Sequence, residues 1–501
     1  MEHLRPPGLL VEDVAGRIDP ATREALAGSH TRMAAEESIP PLTANRFDLA
    51  FKLLYLGNGG GPPSAFGAEA YGAHIRAFSL GRFKEPGDQQ KASLDDYLRT
   101  FAELLEAMRA HGFDANRSIV PLARNGSILN GAHRTACAIH LQTPVTTLAT
   151  GLPPVRYDYR YFRDRGVDEA FLDAAAIEFM ERSNGCQLAL IWPTAVGRDE
   201  EIDSILGEVV YRKPVALTST GAHNLLAEVY RGEPWLGPRD ENFPGVRGKQ
   251  AGCFARPGPV RAIVLEARDI DEVRRRKEAV RRLFGLGKDA LHITDTREEA
   301  IRVAQLLFNR NGVHFLNFAR PNRFASTAKD LARFSGFLDH QAVAHTSVAI
   351  DGGTVLAVYG LRQSNDIDYL GVPLPPNEEF ENHAEYLPYH GVPLRELLGD
   401  PRNHFVYDGL NFLSLAQVAA MKRARGDEKD RADLALIRPV LGTIQRQTAI
   451  DAARASLRFH TSRVRSKAVA AIKPKGVWLA RRLGVYAQTR SAYKWLRARL
   501  R

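Results

Sequence analysis

Residues 351–372 read DGGTVLAVYGLRQSNDIDYLGV, and this stretch decides the fold of the C-terminal half. A small-residue turn, Gly352-Gly353-Thr354, opens a short apolar run. After it, Asp366-Ile367-Asp368 sets two carboxylates alternately into an apolar, strand-like segment that ends at Tyr369-Leu370. Side chains of a strand alternate between faces, so Asp366 and Asp368 are expected on one face. Two carboxylates on one face repel and are costly to bury, and a divalent cation between them and a phosphate substrate is the usual physical reason to keep such a pair. Phosphate chemistry is therefore the first expectation. The residues alone leave a second reading open, a strand end where the carboxylates cap a turn or pair with arginines.

The arrangement resembles the signature of the nucleotidyltransferase superfamily, the DNA polymerase β-like fold, and within it the LicD/fukutin branch. There a Gly-Thr-Leu-Leu-Gly run leads through an Arg to an Asp-Asp-x-Asp cluster; here GGTVLAVYGLR leads to DID. The resemblance implies that backbone amides of the turn hold phosphate. Gly352, Gly353 and Thr354 would then bind the nucleotide, Asp366 and Asp368 would hold Mg2+ (or Mn2+), and Arg362 would neutralise developing charge. Downstream, FVYDGLNFLSLAQVAAMKRARGDEKDRADLALI predicts a hairpin turning at Asp408-Gly409, then an amphipathic helix carrying Lys422, Arg425 and a Lys429-Asp430 pair. A helix of this kind follows the catalytic strands in many small nucleotidyltransferases.

The superfamily normally supplies a third carboxylate from a later strand, and no second Asp-x-Asp strand is present in this sequence. Asp408 reads more simply as a turn residue. Glu378, Glu379, Glu381 and Glu385 form another source, but their run through Pro375-Pro376 predicts a solvated loop. Without the third ligand, a catalytically inactive nucleotide sensor stays open as an alternative.

A second motif, RNGSILNGAHRTACAIHL at residues 124–141, predicts a short strand at Ser127-Ile128-Leu129, a tight turn at Asn130-Gly131, and a helix opening with Ala132-His133-Arg134. Free amides and the dipole of a first helical turn favour an anion. The motif resembles the ParB/sulfiredoxin-like fold, whose Gly and His-Arg pair bind nucleotide phosphate, and this implies Gly131, His133 and Arg134 as binding residues. Sulfiredoxins place a catalytic Cys directly before His-Arg; Ala132 stands there, so sulfinic acid reduction is not expected. Without a ligand, the same residues read as a helix N-terminus with a surface Arg.

Between these motifs, ALIWPTA at residues 189–195 predicts a buried strand ending at Pro193, GEVVYRKPVALT a pair of short strands broken by Pro214, and TGAHNLLAEVY a helix opening after Gly221. Farther on, Leu291-His292-Ile293 is strand-like and Thr294-Asp295-Thr296 can cap the helix that follows, with Glu298-Glu299 in its first turn. His292, Asp295 and Glu299 could alternatively converge at the strand-to-helix corner, where α/β proteins place ligands.

The chain has 501 residues, 44% of them hydrophobic and 25% charged, enough for several cores. Its three cysteines are too few and too scattered for a zinc site or a disulfide framework. The N-terminal MEHLRPPGLLVEDVAGRIDP carries charges and prolines where a signal peptide needs an apolar run, and no span is long enough to cross a bilayer. A cytoplasmic protein is expected. The formal charge of +10 is uneven: residues 452–501 hold 14 Lys and Arg and no Asp or Glu, which leaves −4 for everything before them. Trp478, Leu479, Leu483, Tyr486, Tyr493, Trp495, Leu496 and Leu500 interleave with arginines there, as in an amphipathic helix lying on anionic lipid at the inner membrane face. Nucleic acid or a polyanionic glycan would suit the same charge.

The expected architecture is α/β (α+β) and multidomain. It comprises an N-terminal helical and loop region over 1–85, a ParB/sulfiredoxin-like domain over 86–155, an α/β connecting region over 156–255, a nucleotidyltransferase-like mixed sheet with helices over 256–450, and a basic helical tail over 451–501. The resemblances imply a metal-dependent nucleotidyl- or phosphotransferase that takes a nucleoside triphosphate or sugar nucleotide and a glycan, lipid-linked sugar or small-molecule acceptor, in surface polysaccharide assembly. A nucleotide-responsive, nucleic-acid-binding protein of ParB-like type is the alternative, weakened because no helix-turn-helix follows residue 141.

Overall fold

The computed structural model describes residues 9–28, 30, 32–57, 63–83, 91–183, 185–375 and 379–482, without the side chains of 443–449, 452 and 468–482. Three sheets and the helices around them form a mixed α/β (α+β) fold. Glu378 and the aromatic and leucine side chains singled out between 478 and 500 lie outside the described residues.

The first sheet has the order β1-β3-β2, with β1 (Ala35–Ser38), β2 (Val120–Leu122) and β3 (Val145–Ala149). β2 and β3 run parallel, so their connection must cross over, and the helix Ala132–Leu141 does so. Gly131 stands before that helix at φ +87°, where a Cβ would come within 3.3 Å of Val120 Cγ2, so the tight turn needs glycine. The strand expected at Ser127-Ile128-Leu129 reduces to a single bridge between Ile128 and Leu122. β1 pairs antiparallel with β3, so this sheet crosses the boundary expected at residue 85.

The second sheet, β5-β6-β4-β7, is antiparallel throughout: β4 (Cys186–Ile191), β5 (Val209–Val215), β6 (Val260–Glu266) and β7 (Leu291–Ile293). Helices Asp199–Leu206 and Ile270–Phe284 link β4 to β5 and β6 to β7, and helices Ser219–Val229 and Val246–Cys253 stand between β5 and β6. This sheet crosses the boundary expected at 255. Pro214 does not break its segment, because β5 is an edge strand and the missing N–H leaves no interior ladder bond unmade. The helix expected after Gly221 opens earlier, at Ser219, capped by the Thr218 hydroxyl.

The third sheet, β10-β9-β8-β12-β11, is mixed: β8 (Val348–Ile350), β9 (Ile367–Gly371), β10 (Phe380–Asn382), β11 (His404–Tyr407) and β12 (Leu410–Leu413). β9 is antiparallel to β8 and parallel to β10. Helix Ala325–His340 lays Phe334 on Tyr369 and Phe380, covering one face of the β9–β10 pair. β11 and β12 form the hairpin read from Asp408-Gly409, both at positive φ (+56° and +76°), the geometry of the tightest hairpin turns. Helix Leu415–Arg425 follows, and then one helix, Glu428–Arg482, runs through the boundary expected at 450. One large apolar core takes in Phe47 and Phe51 beside the first sheet, Leu190 of the second with Trp192 just beyond its strand, and Ile350 and Phe405 of the third. No helix among the described residues is long and apolar enough to cross a membrane.

Candidate metal centre

β8 runs into Asp351, the residue before helix Gly352–Val358. Gly352 sits at φ +59°, and a Cβ there would collide with the Asp368 carboxylate. A Cβ on Gly353 would stand 2.7 Å from Ser364 Oγ and 3.2 Å from Arg362 Nη2. The two glycines therefore let the DID segment and Arg362 lie directly on the helix opening. Two hydrogen bonds fasten that contact: Asp351 N–H donates to the Asp368 carbonyl at 2.8 Å, and Thr354 Oγ1 donates to the Asp366 carbonyl at 2.8 Å. Thr354 thus spends its hydroxyl on positioning the strand.

Asp368 lies in β9 and is buried. In the parallel neighbour β10, Glu381 is its register partner, so both carboxylates leave the sheet on one face. The chain leaves β10 and reaches His383, whose Nε2 is 3.1 Å from Asp368 Oδ1. One ligand atom from each of Asp368, Glu381 and His383 lies within 4.8 Å of the others. Behind them Asp351 is fully buried: its Oδ2 is 3.1 Å from His390 Nε2 and 3.7 Å from His383 Nδ1, and its Oδ1 has no hydrogen-bond partner among the described residues.

The electrostatics follow from this crowding. Burial works to raise the Asp351 carboxyl, but His383 and His390 outweigh it and hold the group well below the usual carboxylate range. Burial likewise works against a charged His383, yet Asp351 and Asp368 on its two sides push its pKa up to about 9. The proton on His383 supplies positive charge where the carboxylates converge, and a divalent cation bound to the deprotonated Nε2 would supply it instead. The orphaned Asp351 Oδ1, the cationic demand on His383 and the Asp/Glu/His donor set together fit a divalent metal.

The residues expected from sequence fall into place unequally. Asp366 is exposed and stands one residue before β9, outside the three-residue ligand group, with Ser364 Oγ 3.3 Å from its Oδ1. Arg362 is gripped bidentately by Asp433 (Nε to Oδ1 2.6 Å, Nη2 to Oδ2 2.9 Å) and also feels the charges of Asp366 and Asp368. Asp433 in turn takes Lys422 at 2.8 Å, and Lys422 and Arg425 both reach the buried Asp430. Lys422, Arg425 and Asp430 are thus part of one ionic network that anchors Arg362, whereas Lys429, expected beside Asp430 on the same helix as Lys422, is exposed and lies in the next helix, beyond the break at Gly426. Glu381, one of the glutamates expected in a loop, stands on a strand, with its exposed side chain beside Asp368 and His383. His383, His390 and Asp351 carry no expectation from the sequence; the alternation Glu381-x-His383 is the signal for one of them.

At the second motif, His133 packs edge-on against Phe101 at 4.7 Å between ring centres, and its Nε2 meets the Tyr71 hydroxyl at 2.8 Å. Burial and the charge of Lys52 hold its pKa well below the ordinary value, so the imidazole is neutral. The Arg134 guanidinium folds back over Gly131. The nearby Arg46 and Lys52 are buried and both pair with the buried Asp48. At the third cluster, Glu299 satisfies His292 Nε2 at 2.7 Å and the Asp295 N–H at 2.9 Å, Thr296 caps the helix, and Asp295 pairs with Lys277 at 3.1 Å. Asp408 is paired with Arg231 and Arg239.

Compared with protein-family models, curated proteins and solved structures, the chain gives no match.

Proposed function

We propose that this chain is a metal-dependent transferase that moves a nucleotidyl or phosphoryl-linked group from a nucleoside triphosphate or sugar nucleotide to a hydroxyl of a glycan or small-molecule acceptor. The observation that carries the reading is the convergence of Asp368, Glu381 and His383 beside the Asp351-Gly352-Gly353 turn. A divalent cation held there supplies Lewis-acid polarisation of a phosphoryl oxygen. With one imidazole among its ligands, the site suits Mn2+ better than Mg2+, which prefers an all-oxygen shell.

The chain's own groups have separable parts in this reading. Asp351 orients His383 from behind and balances its charge. Arg362, held in place by Asp433, presents a fixed positive charge toward Asp366 and Asp368 and toward phosphate oxygens bound between them. Asp366, exposed at the rim, is the carboxylate open to the proton of an acceptor hydroxyl. A nucleotide sensor without turnover is the second reading, and one observation favours it: Arg362 and Thr354 are both already engaged within the chain.

The test pairs binding with turnover. Mn2+ is titrated into the wild type and the His383→Ala and Asp368→Asn variants by electron paramagnetic resonance, and transfer is assayed with a panel of nucleoside triphosphates and sugar nucleotides. Metal binding lost in both variants, with metal-dependent nucleotide consumption in the wild type, supports the transferase. Metal and nucleotide binding without consumption moves the site to the sensor, and unchanged metal binding in both variants overturns the reading.

A further inference from the structure

The described side chains of helix Glu428–Arg482 divide cleanly between an inner and an outer face. Inward, Asp451 reaches Arg310 at 3.3 Å, Phe459 is buried under the Arg76 guanidinium at 4.3 Å, and Ser462 hydrogen-bonds the Asp164 carbonyl. With Ala455, whose carbonyl faces Gly166, these residues stand three or four positions apart, which is one side of an α-helix. Gly166 lets the helix dock so closely, since a Cβ there would collide with the Ala455 carbonyl and Phe459.

The outer face is apolar along a narrow ridge. Leu436, Ile450, Leu457 and Val464 are separated by multiples of seven residues, so they line up along the side away from the body. All four are exposed, Leu457 at 69% and Val464 at 67%. Arg454, Arg458 and Arg465 flank the ridge on one side and Arg463 and Lys467 on the other, every one of them exposed. Arg454 has a loose pairing with Asp451 at 3.6 Å, and from residue 452 onward the sequence contains no acid.

We propose that this outer face is a docking surface for an anionic lipid bilayer, with the ridge set among the acyl chains at the boundary and the flanking cations among the headgroups. An apolar line bordered on both sides by long cationic side chains is the pattern of an interfacial helix, whose stems extend apolar contact while their heads reach phosphate. A second copy of the helix fits poorly. A coiled-coil seam needs apolar residues three or four positions on from each ridge residue, and Ala453, His460 and Lys467 stand three positions on from Ile450, Leu457 and Val464. Two such faces would also oppose cations to cations with no acid to pair. Nucleic acid would match the cations but leaves large apolar side chains in the middle of the contact without a partner. The inner face meanwhile holds the helix to the body, so the membrane would be met by the whole folded protein.

Flotation of the full chain with vesicles tests this, comparing pure phosphatidylcholine with an equal mixture of phosphatidylcholine and phosphatidylglycerol, at about 0.1 M salt, where the screening length is about 10 Å. The expected result is binding to the mixed vesicles only, weakened about tenfold by Leu457→Ser/Val464→Ser as two apolar anchors leave the interface. Both positions are exposed, so the variant keeps the fold, and circular dichroism checks it. Equal binding of wild type and variant, equal binding to both vesicle types, or none at all overturns the proposal. So does a dimer by light scattering that the variant converts to monomer, or retention on duplex DNA in place of mixed vesicles.

Discussion

Asp368 and Glu381 face the same side of the third sheet because β9 and β10 run parallel with these two residues in register. They are thirteen positions apart in the chain, and their approach depends on the pairing of two strands that sequence patterns do not join. His383, two residues beyond Glu381, completes the set with its Nε2 3.1 Å from Asp368. Glu381→Gln is accordingly expected to weaken Mn2+ binding by about tenfold or more, while Asp366→Asn, one residue outside the strand, changes it far less. Calorimetric titration of the two variants separates the roles.

The Asp351 carboxylate is not among the proposed ligands, yet it backs His383 at 3.7 Å and meets His390 at 3.1 Å. Asp351→Asn removes the buried charge that orients the imidazole, with an expected loss in metal affinity of about 10- to 100-fold, the usual range for a group behind a ligand. Electron paramagnetic resonance of bound Mn2+ should also change in line shape. An Asp351→Asn protein with wild-type affinity and spectrum would count against the arrangement.

Gly352 and Gly336 make a contrasting pair. Gly352→Ala meets a positive φ and the Asp368 carboxylate at once, and is expected to destabilise the fold by about 1–3 kcal/mol. Gly336 lies exposed within helix Ala325–His340 with nothing near its missing Cβ, and Gly336→Ala should stabilise by about 0.5–1 kcal/mol. Urea unfolding of both variants gives the two signs.

Glu181 supplies a pH signature. Burial and the neighbouring Glu178 push its pKa up to about 7, against an ordinary value of 4.5. A carboxyl raised on folding contributes stability that is complete below its unfolded pKa and is lost as pH rises through the folded pKa. Stability due to this group therefore falls between about pH 4.5 and 7. Glu181→Gln, which keeps the contact with Gln305 without the ionisation, should gain on the wild type by on the order of 2 kcal/mol between pH 5 and pH 8. Denaturation midpoints across that interval read it directly.

Phe459 is the anchor of the C-terminal helix to the body. Phe459→Ala is expected to release the segment around it, with a local cost of about 2–4 kcal/mol for the lost buried ring. Hydrogen exchange should accelerate at amides 455–467 and leave β8 and β9 protected. Gly166→Ala, which strikes the same contact from the other side, should reproduce the pattern.

Much of the local structure is legible in the sequence. The Asp408-Gly409 turn, the strand at Leu291-His292-Ile293, the helix after Gly131 and the buried run before Pro193 all follow from turn chemistry, β-branched composition and period. These signals act over a few residues, where backbone sterics and capping decide the outcome. Pro214 misleads for a related reason, because the sequence cannot show that β5 lies at a sheet edge where a proline is tolerated.

The sequence by itself determined the mixed α/β character, the concentration of positive charge after residue 451, and the strand that begins at Ile367-Asp368. Only the tertiary structure decided which acidic and histidine side chains meet. Glu381 reads as one of several loop glutamates until β10 pairs with β9, and Asp351 has no role in the sequence until His383 and His390 close over it. The physical reason is range. Turns and periodicity are set by neighbours along the chain, whereas a cluster of charges is tolerated or not by burial and counter-charge, which exist only once distant strands have come together.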